Sequence, residues 1–187
     1  MKIKKKTVLT IDQYINEALY NNKFGYYMKN NPFGKNGDYI TSPNISILFS
    51  EMIAIWIISF WENLKYPKKF NLIELGGGNG EMMKQILNTF ENFPLFQNCC
   101  KIHILEKSTY LKNTQKQNLK NKNIKWLKNL NEISNRPNIF IANEFFDALP
   151  IKQFIKKEQK WYERNIKFSK INKPEFLNIL TNIKKFE

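Results

Sequence analysis

The stretch NLIELGGGNGEMM, residues 71–83, places Gly76, Gly78 and Gly80 at alternate positions after an apolar run that contains Glu74. A strand, a glycine turn and a helix in succession serve several kinds of ligand, and the spacing discriminates among them. A P-loop needs a glycine, four residues and then Gly-Lys-Ser or Gly-Lys-Thr, so that lysine and hydroxyl meet phosphate and magnesium. Neither tripeptide occurs in the chain. A dinucleotide turn needs Gly-x-Gly-x-x-Gly, yet counting from Gly76 the last position is Glu81, and counting from Gly77 the middle one is Asn79. What fits is Glu74-x-Gly76-x-Gly78-x-Gly80. Glycine at Gly76 and Gly78 lets the backbone take positive φ and approach a ligand closely, and Gly80 opens the helix with no side chain in the way. A carboxylate beside pyrophosphate would repel it, so Glu74 suits a nucleoside-sized ligand that carries no phosphate.

Working outward, a second acidic residue, Glu106, ends the next apolar run in IHILEK, 26 residues after Gly80. Taken alone, Glu106 reads equally as a solvated carboxylate at a strand end. Taken with Glu74 and the glycines, it is suited to hold the two hydroxyls of a ribose. Residues 70–75, 101–106, 123–127 and 138–143 read as short buried strands, and the stretches near 79–90, 108–118 and 130–134 as helices between them. Such alternation predicts a parallel sheet with right-handed crossovers. After Pro150 the pattern changes to two strands around a polar turn.

Upstream, TIDQYINEALYNN pairs Thr10 with Gln13 as a capping box and places its apolar residues at helical spacing. Residues 24–46 are too rich in glycine and proline for a regular element and read as a structured loop carrying Asp38 and Thr41. A helix from about 45 to 64 includes MIAIWIISFW, which rises only about 15 Å and is too short to span a bilayer. Its apolar residues lie on most faces, which predicts burial on more than one side. The expected division is residues 1–66, helical and loop, covering the pocket, and 67–187, a partial sheet domain with the hairpin after 150.

The net charge of +14 is carried by 30 basic residues, of which only Arg136 and Arg164 are arginine. The side chain favoured at phosphates and bases is nearly absent, and lysine is spread through every segment, which disfavours a nucleic-acid partner. Cys99 and Cys100 are adjacent and His103 is the single histidine, so no metal site is expected, and the thiols are expected to be reduced. The basic N-terminus has no apolar run after it, and the expected location is the cytoplasm of a bacterial-type cell, or the mitochondrial matrix in a eukaryote.

Four stretches, LIELGGGNG, HILEKS, NEFFDALP at 143–150, and the upstream GYY with GDYITSPNIS, resemble class I S-adenosylmethionine-dependent methyltransferases and more narrowly the MidA-like family. The resemblance covers about residues 8–165. It implies an α/β, Rossmann-like sheet with a helical N-terminal segment over the cofactor pocket. It also implies S-adenosylmethionine as cofactor and a protein arginine as acceptor, on a complex I subunit by likeness to an assembly factor in the family. The sheet is expected to be incomplete at its C-terminal side and prone to self-association through the open edge. Asn143 is then expected at the methionine end of the cofactor, with Glu144 and Asp147 facing the acceptor. Asp147 reads equally as the cap of a helix beginning at Ala148. A catalytically incomplete chain acting as an assembly scaffold, and an RNA-modifying protein, remain as rival readings.

Overall fold

The computed structural model describes residues 8–29, 32–34, 37–120, 122–169 and 173–181. It forms two compact units, one from the two ends of the chain up to Lys29 and from Phe146, the other from Asn30 to Phe145. The division expected at 66 and 67 falls inside the second unit.

In the terminal unit, β1 (Val8–Thr10) leads into α1 (Ile11–Tyr20), followed by α2 (Tyr26–Lys29). The Thr10 N–H donates to Gln13 Oε1 at 3.4 Å, one half of the anticipated capping box. The same unit holds a short 3-10 turn at Phe146–Ala148, whose Ala148 carbonyl accepts from the Tyr20 hydroxyl at 3.0 Å.

In the second unit, α3 (Ser42–Ile45) and α4 (Ile47–Asn63) precede β2 (Phe70–Leu75) and α5 (Glu81–Phe90). Then come α6 (Pro94–Cys99), β3 (Cys100–Leu105), α7 (Thr109–Asn118), β4 (Ile124–Leu127) and β5 (Asn138–Ile141). The four strands are parallel in the order β4-β3-β2-β5. All six residues of β2 except the last are buried, as a central parallel strand requires. Leu72, Ile102 and Ile104 face α4 and α5, and four aromatic rings close that core, with Phe96 set 4.5 Å from Phe90, 5.3 Å from Phe70 and 5.4 Å from Trp61.

The helix expected at about 45–64 is α4, and the short α3 before it falls in the stretch expected as loop; only one face of α4 is buried. Ala54, Ile57, Ile58 and Trp61 are in the core, while Leu48, Met52, Ile55, Trp56 and Phe60 are exposed. The apolar composition therefore overstated its burial. The helix expected at 130–134 is a 3-10 turn at Leu130–Glu132.

Back in the terminal unit, β6 (Phe154–Lys157) and β7 (Lys160–Lys167) form the hairpin expected after Pro150, and β8 (Glu175–Leu180) joins them. β7 is central, with β8 along one side and β6 and β1 sharing the other. Cys99 and Cys100 are free thiols. Among the described residues no helix is long and apolar enough to cross a membrane, and no cluster of side chains suits a metal ion.

Candidate active site at the glycine turn

β2 ends at Leu75 and the chain turns through Gly76, Gly77 and Gly78 before α5 begins after Gly80. Gly76, Gly78 and Gly80 have φ of +70°, +52° and +86°, the left-handed conformation their spacing called for. Gly77, which lies between two of the alternate glycines, is constrained differently. A Cβ there would lie 3.1 Å from Glu74 Oε2 and 3.2 Å from Gln115 Nε2, so the turn closes directly over buried polar groups.

The turn is tied down from three sides. Gly76 N–H donates to the Leu105 carbonyl at 3.0 Å, which locks the loop to the end of β3. Gln115 Nε2 donates to Gly78 O at 3.0 Å and to Glu106 Oε2 at 3.1 Å, while Trp126 Nε1 donates to Gln115 Oε1 at 2.9 Å. Asn79 Nδ2 donates to Asn44 Oδ1 at 3.1 Å, linking the turn to α3. Gln115 is fully buried and organises this network, yet it sits in a polar helix with no sequence signal to distinguish it.

A cleft of about 50 Å³ opens on the turn, lined by Glu74, Gly76, Gly77, Gly78, Asn79 and Met82 from β2, the turn and α5, by Phe33, Thr41, Pro43 and Asn44 from the preceding loop and α3, and by Asn143 and Glu144 after β5. Among the described residues that line it there is no lysine or arginine. Glu74, Gly76, Gly78, Thr41, Asn143 and Glu144 are thus brought together, whereas Gly80 sits behind the cleft, packed on Gln115 and Leu119. Asp38 is exposed and does not line it. Glu106 ends β3 as expected, but its carboxylate accepts from Ser108 N–H at 2.8 Å and from Gln115, and it lies outside the cleft lining. Asp147 belongs to the terminal unit and lies within the Phe146–Ala148 turn, not ahead of a helix at Ala148.

Glu74 is 1% exposed, and its Oε2 has no hydrogen-bond partner among the described residues. Burial, and secondarily the nearby Glu106 carboxylate, push its carboxyl up to about 8. Burial likewise raises Glu106. A buried acid poised near neutrality, with an unused oxygen in a glycine cradle, fits a ligand bearing positive charge. Two rings pack closely against the turn. Phe145 lies where a Cβ on Gly76 would come within 2.6 Å, and Phe33 stands 3.4 Å from the corresponding point on Gly78. At about 50 Å³ the cleft is sized for water and not for a nucleoside. Glu144 has φ of +48°, a strained value for a residue with a side chain, at the mouth of this cleft.

The sequence profile of a family of S-adenosyl-L-methionine-dependent methyltransferases matches residues 52–186. Among similar proteins, the protein arginine methyltransferase NDUFAF7, mitochondrial, of Xenopus laevis is 35% identical over 186 residues, covering 87% of this chain and 43% of its own length. The human protein of the same name is 32% identical, over 87% of this chain and 42% of its own. The chain therefore spans less than half the length of these relatives. A crystal structure from Burkholderia thailandensis, bound to S-adenosyl-homocysteine, superposes with a TM-score of 0.77 at 21% identity, over 92% of this chain and 46% of that one. That likeness carries the fold, and with a profile match over most of the sequence the chain belongs to the S-adenosyl-L-methionine-dependent methyltransferase family.

Proposed function

We propose that this chain binds S-adenosylmethionine at the glycine turn and belongs to an enzyme that methylates a protein arginine. The observation that carries the cofactor is the buried Glu74 oxygen, without a partner among the described residues, in a cleft whose described lining has no basic side chain. A phosphate-bearing nucleotide would find no described cation there to balance it, whereas a sulfonium with an ammonium group draws Glu74 into its ionised form and is attracted. The names of the relatives support arginine as acceptor, and the MidA-like resemblance points to a complex I subunit.

When bound, the cofactor supplies an electrophilic methyl group. The residues of this chain then have positioning and electrostatic work. Glu74 ionises as a cation enters, releasing its proton to solvent and leaving a carboxylate to balance the ligand's charge. Asn143 offers a neutral amide at the same wall. Glu144, exposed at the cleft mouth, accepts hydrogen bonds from an incoming guanidinium, which fixes the orientation of its nitrogen. Asp147 is assigned no step.

The test is a calorimetric titration of S-adenosylmethionine and of S-adenosylhomocysteine into the 187-residue chain, with Gly78→Val as control. Binding that disappears in the variant supports a working pocket at the turn, and absence of binding by the folded wild-type chain removes the proposal for this chain. Glu144→Gln should lower methyl transfer to an arginine acceptor by tenfold or more while leaving cofactor affinity within about twofold. An unchanged transfer rate would remove Glu144 from the acceptor site.

A further inference from the structure

At the amino ends of the strands, the edge of the sheet opposite the glycine turn, a second cavity of about 790 Å³ lies among β3, β4 and the segment leading into β5. Its walls carry Lys101, Lys122, Lys125, Arg136 and His103. Two of the charges are balanced in place, Lys122 by Glu91 and Lys125 by Glu132 at 3.4 Å. Lys101 and Arg136 have no ion-pair partner among the described residues.

His103 is 7% exposed and built into a polar network. The amide nitrogen of the fully buried Asn71 donates to Asn138 Oδ1 at 2.8 Å and faces Ser134 Oγ at 3.3 Å. Its Oδ1 is therefore an acceptor, and the His103 Nε2 placed 3.2 Å away must carry the hydrogen. Nδ1 is then a bare lone pair, buried and without a partner among the described residues. Burial, followed by Lys125, Lys101 and Arg136, keeps the ring below its ordinary pKa and so neutral. Arg136 Nη1 is a buried donor that also lacks a partner.

His103 and Arg136 thus both line a cavity with surplus positive charge, and each holds one buried polar atom without a partner among the described residues, an acceptor on His103 and a donor on Arg136. A ligand that satisfies both carries anionic oxygens and a hydroxyl. A carboxylate has no such hydrogen, and neither has a phosphodiester. A phosphate monoester supplies both in its monoanion, the form that prevails below its second ionisation at about 6. We propose that this cavity binds a phosphate monoester, with Arg136 and Lys101 donating to the anionic oxygens and His103 Nδ1 accepting from the P–OH group. The inference is independent of the function proposed for the glycine turn.

The probes are inorganic phosphate and glycerol 3-phosphate, which contain no nucleoside to occupy the cofactor cleft, and sulfate, which has the same shape but no hydrogen at about pH 5.5, where both phosphates are mostly monoanions. Titrated at constant ionic strength, both phosphates should bind at least tenfold more tightly than sulfate. Arg136→Met should weaken phosphate at least tenfold, and His103→Leu should abolish the preference over sulfate. Because His103 is the only histidine, its ring nitrogen resonances in the wild-type chain give a reading that needs no variant. The Nδ1 signal should shift on adding phosphate and stay in place on adding sulfate. Equal affinity for phosphate and sulfate, or phosphate binding unaffected by Arg136→Met, overturns the proposal, as does a His103 signal indifferent to millimolar phosphate.

Discussion

Glu74 carries the clearest consequence at the scale of a single residue. Its carboxyl is raised from 4.5 to about 8 in the folded chain. Between those values the native state holds a proton that the unfolded chain releases, so stability falls as pH rises through the window. The contribution of this group declines by about 1.4 kcal/mol per pH unit and levels off above pH 8. Glu74→Gln, which keeps the shape and removes the titration, should flatten the difference in thermal unfolding between pH 5 and 8. A parallel pH dependence in wild type and variant would show that Glu74 is not the titrating group. The same proton links to ligand binding. Below pH 8, binding of a cationic cofactor should release it, and calorimetry in two buffers of different ionisation enthalpy would detect the release. Phe145 is testable beside it, since its ring fills the space over Gly76. Phe145→Ala should speed cofactor association by stopped flow, and an unchanged rate would make the ring a wall and not a plug.

Among the elements, α6 shows how packing supplies what periodicity does not. Pro94 at its first turn starts the helix, but six residues are too few to show a pattern. Its worth lies in Phe96, 1% exposed and set against Phe70, Phe90 and Trp61. Phe96→Ala should cost about 3–5 kcal/mol in denaturant unfolding. A loss below 1 kcal/mol would mean that the four-ring cluster relaxes around the deletion. Longer elements were legible. β2, α5, β3 and α7 lie within two residues of their expected bounds, because an apolar run in the strands and polar–apolar spacing in the helices mark stretches of six residues or more. β1 and β8 escaped notice, since short strands flanked by lysine lack the apolar run that marks a buried one.

At the scale of the whole molecule, β5 pairs with β2 alone, and its outer edge has no partner among the described residues. Phe140 on that strand is 48% exposed. Open parallel edges recruit other strands, and a charge on the edge opposes this. Phe140→Lys should therefore reduce concentration-dependent association in sedimentation velocity, and an unchanged profile would locate any association elsewhere. Local rules reached as far as the glycine turn, the alternation of strand and helix and the acidic ends of β2 and β3, because φ preference and side-chain period are properties of short stretches. Gathering the site was a different matter. Only the fold brings Phe33, Thr41 and Asn44 to the turn across some thirty residues, sets Gln115 beneath it, turns Glu106 inward to hold Ser108 and Gln115, and leaves Asp38 exposed. Sequence by itself determined that a phosphate-free glycine turn would form on a parallel sheet. Tertiary structure decided which side chains face it and how strongly Glu74 holds its proton, because burial and long-range contacts are set by chain segments that meet only after folding.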